Sequence, residues 1–317
     1  MISIQKLMST LLTSSLCAGL LIKDIAIKGK IIALEKGPNN PFTNADILAQ
    51  KYYTTIINKE FSNLNIIAEE SSDHLDEFNY NFLKFNSLIE KIPEVFNLLD
   101  LHGFSHEREN INNITLIIDP LDGTKDFISK KYSNVTSLVG VTINGIPKYG
   151  LICTPFRSNE KIITYFNIFG KGLYQIELSN YQSPHIQIYK VDTYSDILQN
   201  RTICCCGRKY FNQRTQELIE LIQPQQVEFI SCCGAKLLSI IKGECDIYLH
   251  VNGGLSKWDI CGPHAILNEC KGELTTIDGT PFNYLNKIMD VQSILCTKNK
   301  LLHQDCLKKI MKKFPRK

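Results

Sequence analysis

A chain of 317 residues with 44% apolar and 21% charged side chains has an ordinary globular composition and enough length for a sizeable core. Its formal net charge of +3 is too small for a surface that wraps nucleic acid, which is excluded as an expected partner. Of its 12 cysteines, several stand in the contiguous runs Cys204-Cys205-Cys206 and Cys232-Cys233, and no C-x-x-C pair occurs. They read as reduced, buried small hydrophobes in a reducing compartment, not as a disulfide framework or a zinc ribbon.

Near the N-terminus, residues 8–22 are apolar and follow Lys6 as a weak signal peptide would, but Ser9, Thr10, Thr13, Ser14 and Ser15 interrupt them. Leu7, Leu11, Ala18 and Ile22 recur at helical spacing and predict an amphipathic first helix packed on the body. The stretch falls short of the ~20 continuous apolar residues of a membrane span, so the expected setting is cytoplasmic with no membrane partner. Residues 30–36 read as a strand and 37–41 as a turn. Thr43 or Asn44 would cap a helix that buries Ile47, Leu48, Ile56, Ile57 and Phe61. Asp46 falls in its first turn, where an acid complements the helix dipole. Residues 65–68 form a strand ending in Glu69-Glu70, one acid facing inward and the other solvent. A polar acidic segment follows, then a helix over 88–99. His102 and His106 have i, i+4 spacing, but Gly103 between them favours a surface loop over a zinc site.

The central stretch is Asp119-Pro120-Leu121-Asp122-Gly123-Thr124-Lys125-Asp126-Phe127, after the buried-strand pattern of residues 114–118. Pro120 should end the strand, Gly123 permits a sharp turn, and Thr124 can cap a short helix. Asp119 and Asp122 then stand beside a helix N-terminus, which suits a hard cation and a phosphate and points to phosphoryl transfer or phosphate hydrolysis. Simple Asp-Gly turn chemistry is the alternative. Residues 135–143 and 146–153, joined by Asn144-Gly145, predict a hairpin. Strands follow at 161–167 and 172–176, with a soft boundary near Pro155 between halves 1–155 and 156–317. The second half alternates strand and helix: 202–206, 211–222, 227–230, 233–241, 246–250, 258–270 and 273–277. That pattern makes an α/β unit with a covered sheet. Asp259 stands where the helix over 258–270 begins, with Trp258 beside it as a packing residue. The basic tail from residue 308 reads as a solvated helix end.

Three ordered motifs give this pattern a family resemblance. They are Ala68-Glu69-Glu70, Asp119-Pro120-Leu121-Asp122-Gly123-Thr124-Lys125, and Trp258-Asp259-Ile260-Cys261-Gly262-Pro263 followed by Ala265-Ile266-Leu267. Together they resemble the inositol monophosphatase superfamily over nearly the whole chain. The 50 positions from Glu69 to Asp119 (119 − 69) are most similar to its 3′(2′),5′-bisphosphate nucleotidases and polyphosphate 1-phosphatases. The resemblance implies a layered α-β-α-β-α sandwich. It implies two or three Mg²⁺ ions, with Glu69, Asp119 and the Leu121 carbonyl on one and Asp119, Asp122 and Asp259 on another, and inhibition by Li⁺. It makes Asp46 and Thr124 the catalytic pair that orients or deprotonates water, and Gly123 and Thr124 the holders of the phosphate oxygens.

The implied substrate is a small nucleotide, adenosine 3′,5′-bisphosphate or 3′-phosphoadenylyl sulfate, cleaved at its 3′-phosphate by a monomer. An inositol polyphosphate 1-phosphatase or inositol monophosphatase is the alternative, and a silent nucleotide or metal sensor is a third reading that the full set of acids opposes. The expected substrate contacts are Cys206, Lys209, Cys232, Lys236 and Asp259 with the phosphate-holding turn. This chain departs from the family there, having Gly207-Arg208-Lys209 in place of Arg-Ser-His and Cys232-Cys233-Gly234 in place of a glycine-rich approach.

Overall fold

The computed structural model describes residues 1–38, 40–71, 78, 85–181, 183–193, 202–208, 211–251, 253–286 and 288–314. The helices among them are α1 (Ile4–Ile27), α2 (Asn44–Glu60), α3 (Asn86–Ile89), α4 (Ile92–Leu101), α5 (Thr124–Ile128), α6 (Gln213–Ile222), α7 (Cys233–Ile241), α8 (Lys257–Glu269) and α9 (Lys300–Lys313). Two large sheets organise them. A seven-stranded sheet runs, edge to edge, His185–Lys190, Gly172–Ser179, Ile162–Ile168, Ile146–Thr154, Thr136–Ile143, Ile114–Asp122 and Asn65–Ala68. A five-stranded sheet runs Gln226–Phe229, Ile203–Cys206, Ile247–His250, Ile294–Thr297 and Glu273–Thr275.

Three apolar cores separate these elements into five layers. The first joins α1, α2 and α4 to one face of the larger sheet. The second sandwiches α7 and α8 between the two sheets, and the third packs α6 and α9 on the outer face of the smaller one. The expected α-β-α-β-α arrangement is therefore present, with Ile117, Leu138 and Ile152 of the larger sheet meeting Leu237, Ile260 and Ile266 in the middle core.

The close seat of α8 depends on glycine. A Cβ on Gly150 would meet the Gly262 carbonyl oxygen at 1.9 Å, and one on Gly262 would meet the Val139 carbonyl oxygen at 2.5 Å. Backbone lies on backbone there, which carries the start of α8, with Asp259, over the end of strand Ile114–Asp122.

Several elements differ from the sequence reading for identifiable reasons. The first helix is longer than expected and not amphipathic, because Ser9, Thr10, Thr13, Ser14 and Ser15 are all fully buried. Thr13 and Ser14 return their hydroxyls to the Ser9 and Thr10 carbonyls at 2.9 and 2.8 Å, and Ser15 meets Thr164 at 3.0 Å. By length and composition α1 does qualify as a candidate span, contrary to the expectation, but 83% of its most apolar window is buried in the protein. The strand at the central motif passes through Pro120 to Asp122, with a register shift between Asp119 and Asp122 that absorbs the missing N–H. The helix expected over 88–99 is divided into α3 and α4, and Pro93 sits in the first turn of the latter. Strand Ile294–Thr297 and most of α9 were not anticipated. The hairpin is as expected, with Asn144 and Gly145 at φ 52° and 74°. All twelve cysteines are free thiols and ten are buried.

A candidate metal and phosphate site

A cavity of about 1030 Å³ opens where the ends of both sheets meet α7 and α8, lined by Glu69, Asp122, Thr124, Lys236 and Asp259 among others. On the smaller sheet it lies beyond the carboxyl ends of strands Ile203–Cys206, Gln226–Phe229 and Ile247–His250, which are mutually parallel. Open α/β sheets place their ligands at such ends.

The acids arrive there by local backbone geometry. Asp119 Oδ1 accepts the Leu121 N–H at 3.0 Å, closing the turn around Pro120. Asp122 stands over the N-terminus of α7, and Gly234 N–H (2.6 Å), Cys233 N–H (3.3 Å) and the Thr136 hydroxyl (3.0 Å) all donate to it. Asp259 is the third residue of α8, and its Oδ2 accepts the Ser256 N–H at 2.6 Å. Asp46 does the same in α2, its Oδ2 accepting the Thr43 N–H at 2.8 Å and the Thr43 hydroxyl at 2.5 Å. Thr43, not Asn44, is the cap of that helix. Asp46 and Asp259 thus do serve as first-turn acids, and the helix-capping reading and the site reading hold together because a carboxylate has two oxygens.

One oxygen each from Asp119, Asp122 and Asp259 lies within 4.8 Å of the others, although the chain separates them by up to 140 positions (259 − 119). Burial raises the Asp119 carboxyl well above the ordinary range, and the charges of Glu69, Asp259 and Asp122 raise it further. Burial likewise raises Asp259, reinforced by Asp122 and Glu69. Asp122 is raised by burial while the Gly234 N–H and Lys236 oppose. Mutually repelling carboxylates in a concave, partly dry site, with oxygen as the donor atom, fit a hard divalent cation and not a thiolate-seeking one. Glu69 faces the same cavity, half-exposed. Glu70 is the inward acid, 4% exposed, and Lys36 bridges the two at 3.3 and 2.5 Å. Burial alone would lower the Lys36 ammonium, but Glu69 and Glu70 raise it.

Thr124 does not cap α5. Gly123, at φ 98°, takes that position, and the Thr124 hydroxyl turns back to donate to Asp46 Oδ1 at 2.9 Å, near the Leu121 carbonyl at 3.3 Å. Burial pushes Asp46 up to about 7; the Thr43 hydrogen bond opposes, Glu70 and Glu69 add to the rise, and Thr124 opposes. Glycine is needed at 123 for space as well as for its φ, since a Cβ there would meet the Cys232 sulfur at 2.3 Å. α5 spans only Thr124–Ile128, so the long helix N-terminus is that of α7, and Asp122 covers it.

The remaining expected contacts divide. Cys232 lines the cavity with its Sγ toward Asp126. Lys236 also lines it, but its ammonium donates to the Cys232 carbonyl at 2.7 Å and lies over the Tyr248 ring. Cys206 is buried below the cavity floor and does not line it, because the chain leaves the strand there and Gly207 and Arg208 take the surface. Lys209 lies outside the described residues. Sequence reasoning missed Lys36, which no motif marks, and Thr136, which donates to Asp122 from the neighbouring strand. Thr43 was noticed only as a cap, yet the spacing Thr43-x-x-Asp46 is the sign of a capping box, which holds Asp46 Oδ2 and leaves Oδ1 to Thr124.

The comparisons with known proteins agree with this geometry. The inositol monophosphatase family description matches residues 4–313. The chain is 27% identical over 281 residues to 3′(2′),5′-bisphosphate nucleotidase 1 of Dictyostelium discoideum, covering 84% of this chain and 83% of that one. It is 26% identical over 298 residues to the putative inositol monophosphatase 3 of Drosophila melanogaster, covering 89% of this chain and 74% of that one. Among solved structures, inositol monophosphatase II from Staphylococcus aureus superposes with a TM-score of 0.66 over 97% of this chain and 94% of its own, at 18% identity.

Proposed function

The chain belongs to the inositol monophosphatase family and is a phosphatase, and from that premise we propose that it hydrolyses the 3′-phosphate of adenosine 3′,5′-bisphosphate with Mg²⁺. The observation that carries the reading is the convergence of Asp119, Asp122 and Asp259 to within 4.8 Å in a cavity far larger than one phosphate requires. Similarity to the Dictyostelium bisphosphate nucleotidase supports the choice of a nucleotide.

The family is metal-dependent. In this reading Glu69, Asp119 and the Leu121 carbonyl would hold one Mg²⁺ and Asp119, Asp122 and Asp259 another. Bound there, such ions supply charge neutralisation on the phosphate and on the departing oxygen, and lower the pKa of water. The chain's own residues supply position. Asp46, fixed by Thr43, accepts from Thr124 and so aims the Thr124 oxygen lone pairs outward to accept from the attacking water. Water then adds to phosphorus as the bond to the ribose 3′-oxygen breaks, and no thiol is required. The Gly123 and Thr124 N–H groups face the phosphate oxygens. Lys36, paired with both Glu69 and Glu70, would offset their charge beside the ions. Li⁺ is expected to inhibit by competing for the carboxylates.

A phosphate-release panel tests this with adenosine 3′,5′-bisphosphate, 3′-phosphoadenylyl sulfate, inositol 1,4-bisphosphate and inositol 1-phosphate under identical Mg²⁺. The nucleotides should lead by at least about tenfold in kcat/KM, a discrimination ordinary for a pocket built around one substrate. A lead by either inositol phosphate would overturn the nucleotide assignment and leave the phosphatase site standing.

A further inference from the structure

We propose that the cavity mouth contains a ring-binding subsite, formed by Phe229 and Arg208, that takes the planar base of a nucleotide. The inference rests on the nucleotide reading and assigns it a recognition element. Phe229 ends strand Gln226–Phe229, and its register partner on the adjacent parallel strand is Cys206, two positions before Arg208. Both side chains therefore leave the same end of the sheet, and both line the cavity that holds Asp122 and Asp259. The Arg208 guanidinium lies over the Phe229 ring, 4.4 Å from its centroid. Phe211 meets Phe229 edge-on, with centroids 5.3 Å apart and planes at 76°, and fixes its orientation.

The array is unfinished as a structural device. Phe229 and Phe211 are each 39% exposed, and Phe229 turns that apolar surface to the cavity. A guanidinium stacked on an aromatic ring is a flat, partly cationic platform, and nucleobases add to such platforms through their π-faces. A non-planar ring studded with hydroxyls has no such face. Position supports the same occupant. Only Ile230, Ser231 and Cys232 separate Phe229 from Cys233, whose N–H donates to Asp122. A ligand with its phosphate at the acids extends along this short segment toward the platform.

The test compares KM for adenosine 3′,5′-bisphosphate with product inhibition by inorganic phosphate, which occupies the acid end alone. Phe229→Ala should raise KM by about tenfold or more, the order expected for loss of a base stack, and shift the inhibition constant of inorganic phosphate far less. Phe229→Trp should recover most of the loss, and unchanged melting temperatures would exclude misfolding as the cause. Equal KM in wild type and Phe229→Ala, or a parallel rise in both constants, overturns the subsite while leaving the nucleotide reading intact. A wild-type enzyme that releases phosphate from inositol phosphates and from no nucleotide overturns the nucleotide reading, and the subsite falls with it.

Discussion

The two sides of the cavity are built by different means. On the acidic side, each of four carboxylates accepts a backbone N–H: Asp119 from Leu121, Asp259 from Ser256, Asp46 from Thr43 and Asp122 from Gly234. The first three partners stand within three positions of the acid in the chain, so helix caps and a proline turn set the geometry. On the facing wall, residues 230–233 meet partners far off in the chain: the Asn134 amide donates to the Ser231 hydroxyl at 2.9 Å, and the Cys233 N–H donates to Asp122 at 3.3 Å. Local geometry fixes the chemistry, and tertiary geometry shapes the side that meets the rest of the substrate. Asp122 is where the two sides join, since the wall's Cys233 and Gly234 N–H groups hold it, whereas Asp46, Asp119 and Asp259 are held without the wall.

That contrast predicts a graded series of losses. Asp122→Asn removes charge at the centre of the cluster and should lower phosphate release by at least about a hundredfold, since even residues behind metal ligands cost 10–100-fold. A variant with unchanged release would break the assignment of the acidic side. Thr124→Val should lower kcat by about a hundredfold, the scale of a lost proton-positioning group, with Thr124→Ser retaining most activity. Equal kcat in the two variants would detach Thr124 and Asp46 from the reaction. On the wall, Lys236→Met should raise KM by roughly tenfold, matching one charge-assisted hydrogen bond. If kcat falls and KM does not, Lys236 acts through its field on Asp122 and the contrast between the sides blurs.

The smallest effect is in stability. Asp46 is raised from 3.8 to about 7, and Asp119, Asp122 and Asp259 are raised as well. A carboxyl whose folded pKa exceeds its unfolded value stabilises the fold fully below the unfolded value and loses that contribution as pH rises through the folded one. The chelator-treated protein should therefore melt at progressively lower temperature between about pH 4 and 7 through these groups, and Mg²⁺ should restore most of the loss at pH 7.5. Melting curves with and without Mg²⁺ that change in parallel with pH would show that the acids do not face the ion.

The same contrast explains how much was legible in the sequence. Asp119 and Asp122 could be read from the turn at the end of their strand, whereas Glu69, Asp46 and Asp259 were marked as site residues only by the family resemblance. The layered fold was legible from the strand and helix alternation together with the family resemblance. The wall was not, because no spacing reveals that Cys206 ends below the floor while Arg208 reaches the Phe229 ring. Polar residues in α1 misled for a related reason: Ser15 reads as surface until Thr164, 149 positions away, supplies its partner. Pro120 misled because a register shift lets a strand carry proline without an orphaned acceptor opposite it.

The central claim is that acids distant in sequence form one cation site. Titration calorimetry of Mg²⁺ into wild type and Asp119→Asn at constant pH tests it most directly. Saturable binding in wild type that is lost or weakened at least about tenfold in the variant is the predicted result, with both proteins folded by circular dichroism. Identical isotherms for the two would contradict it.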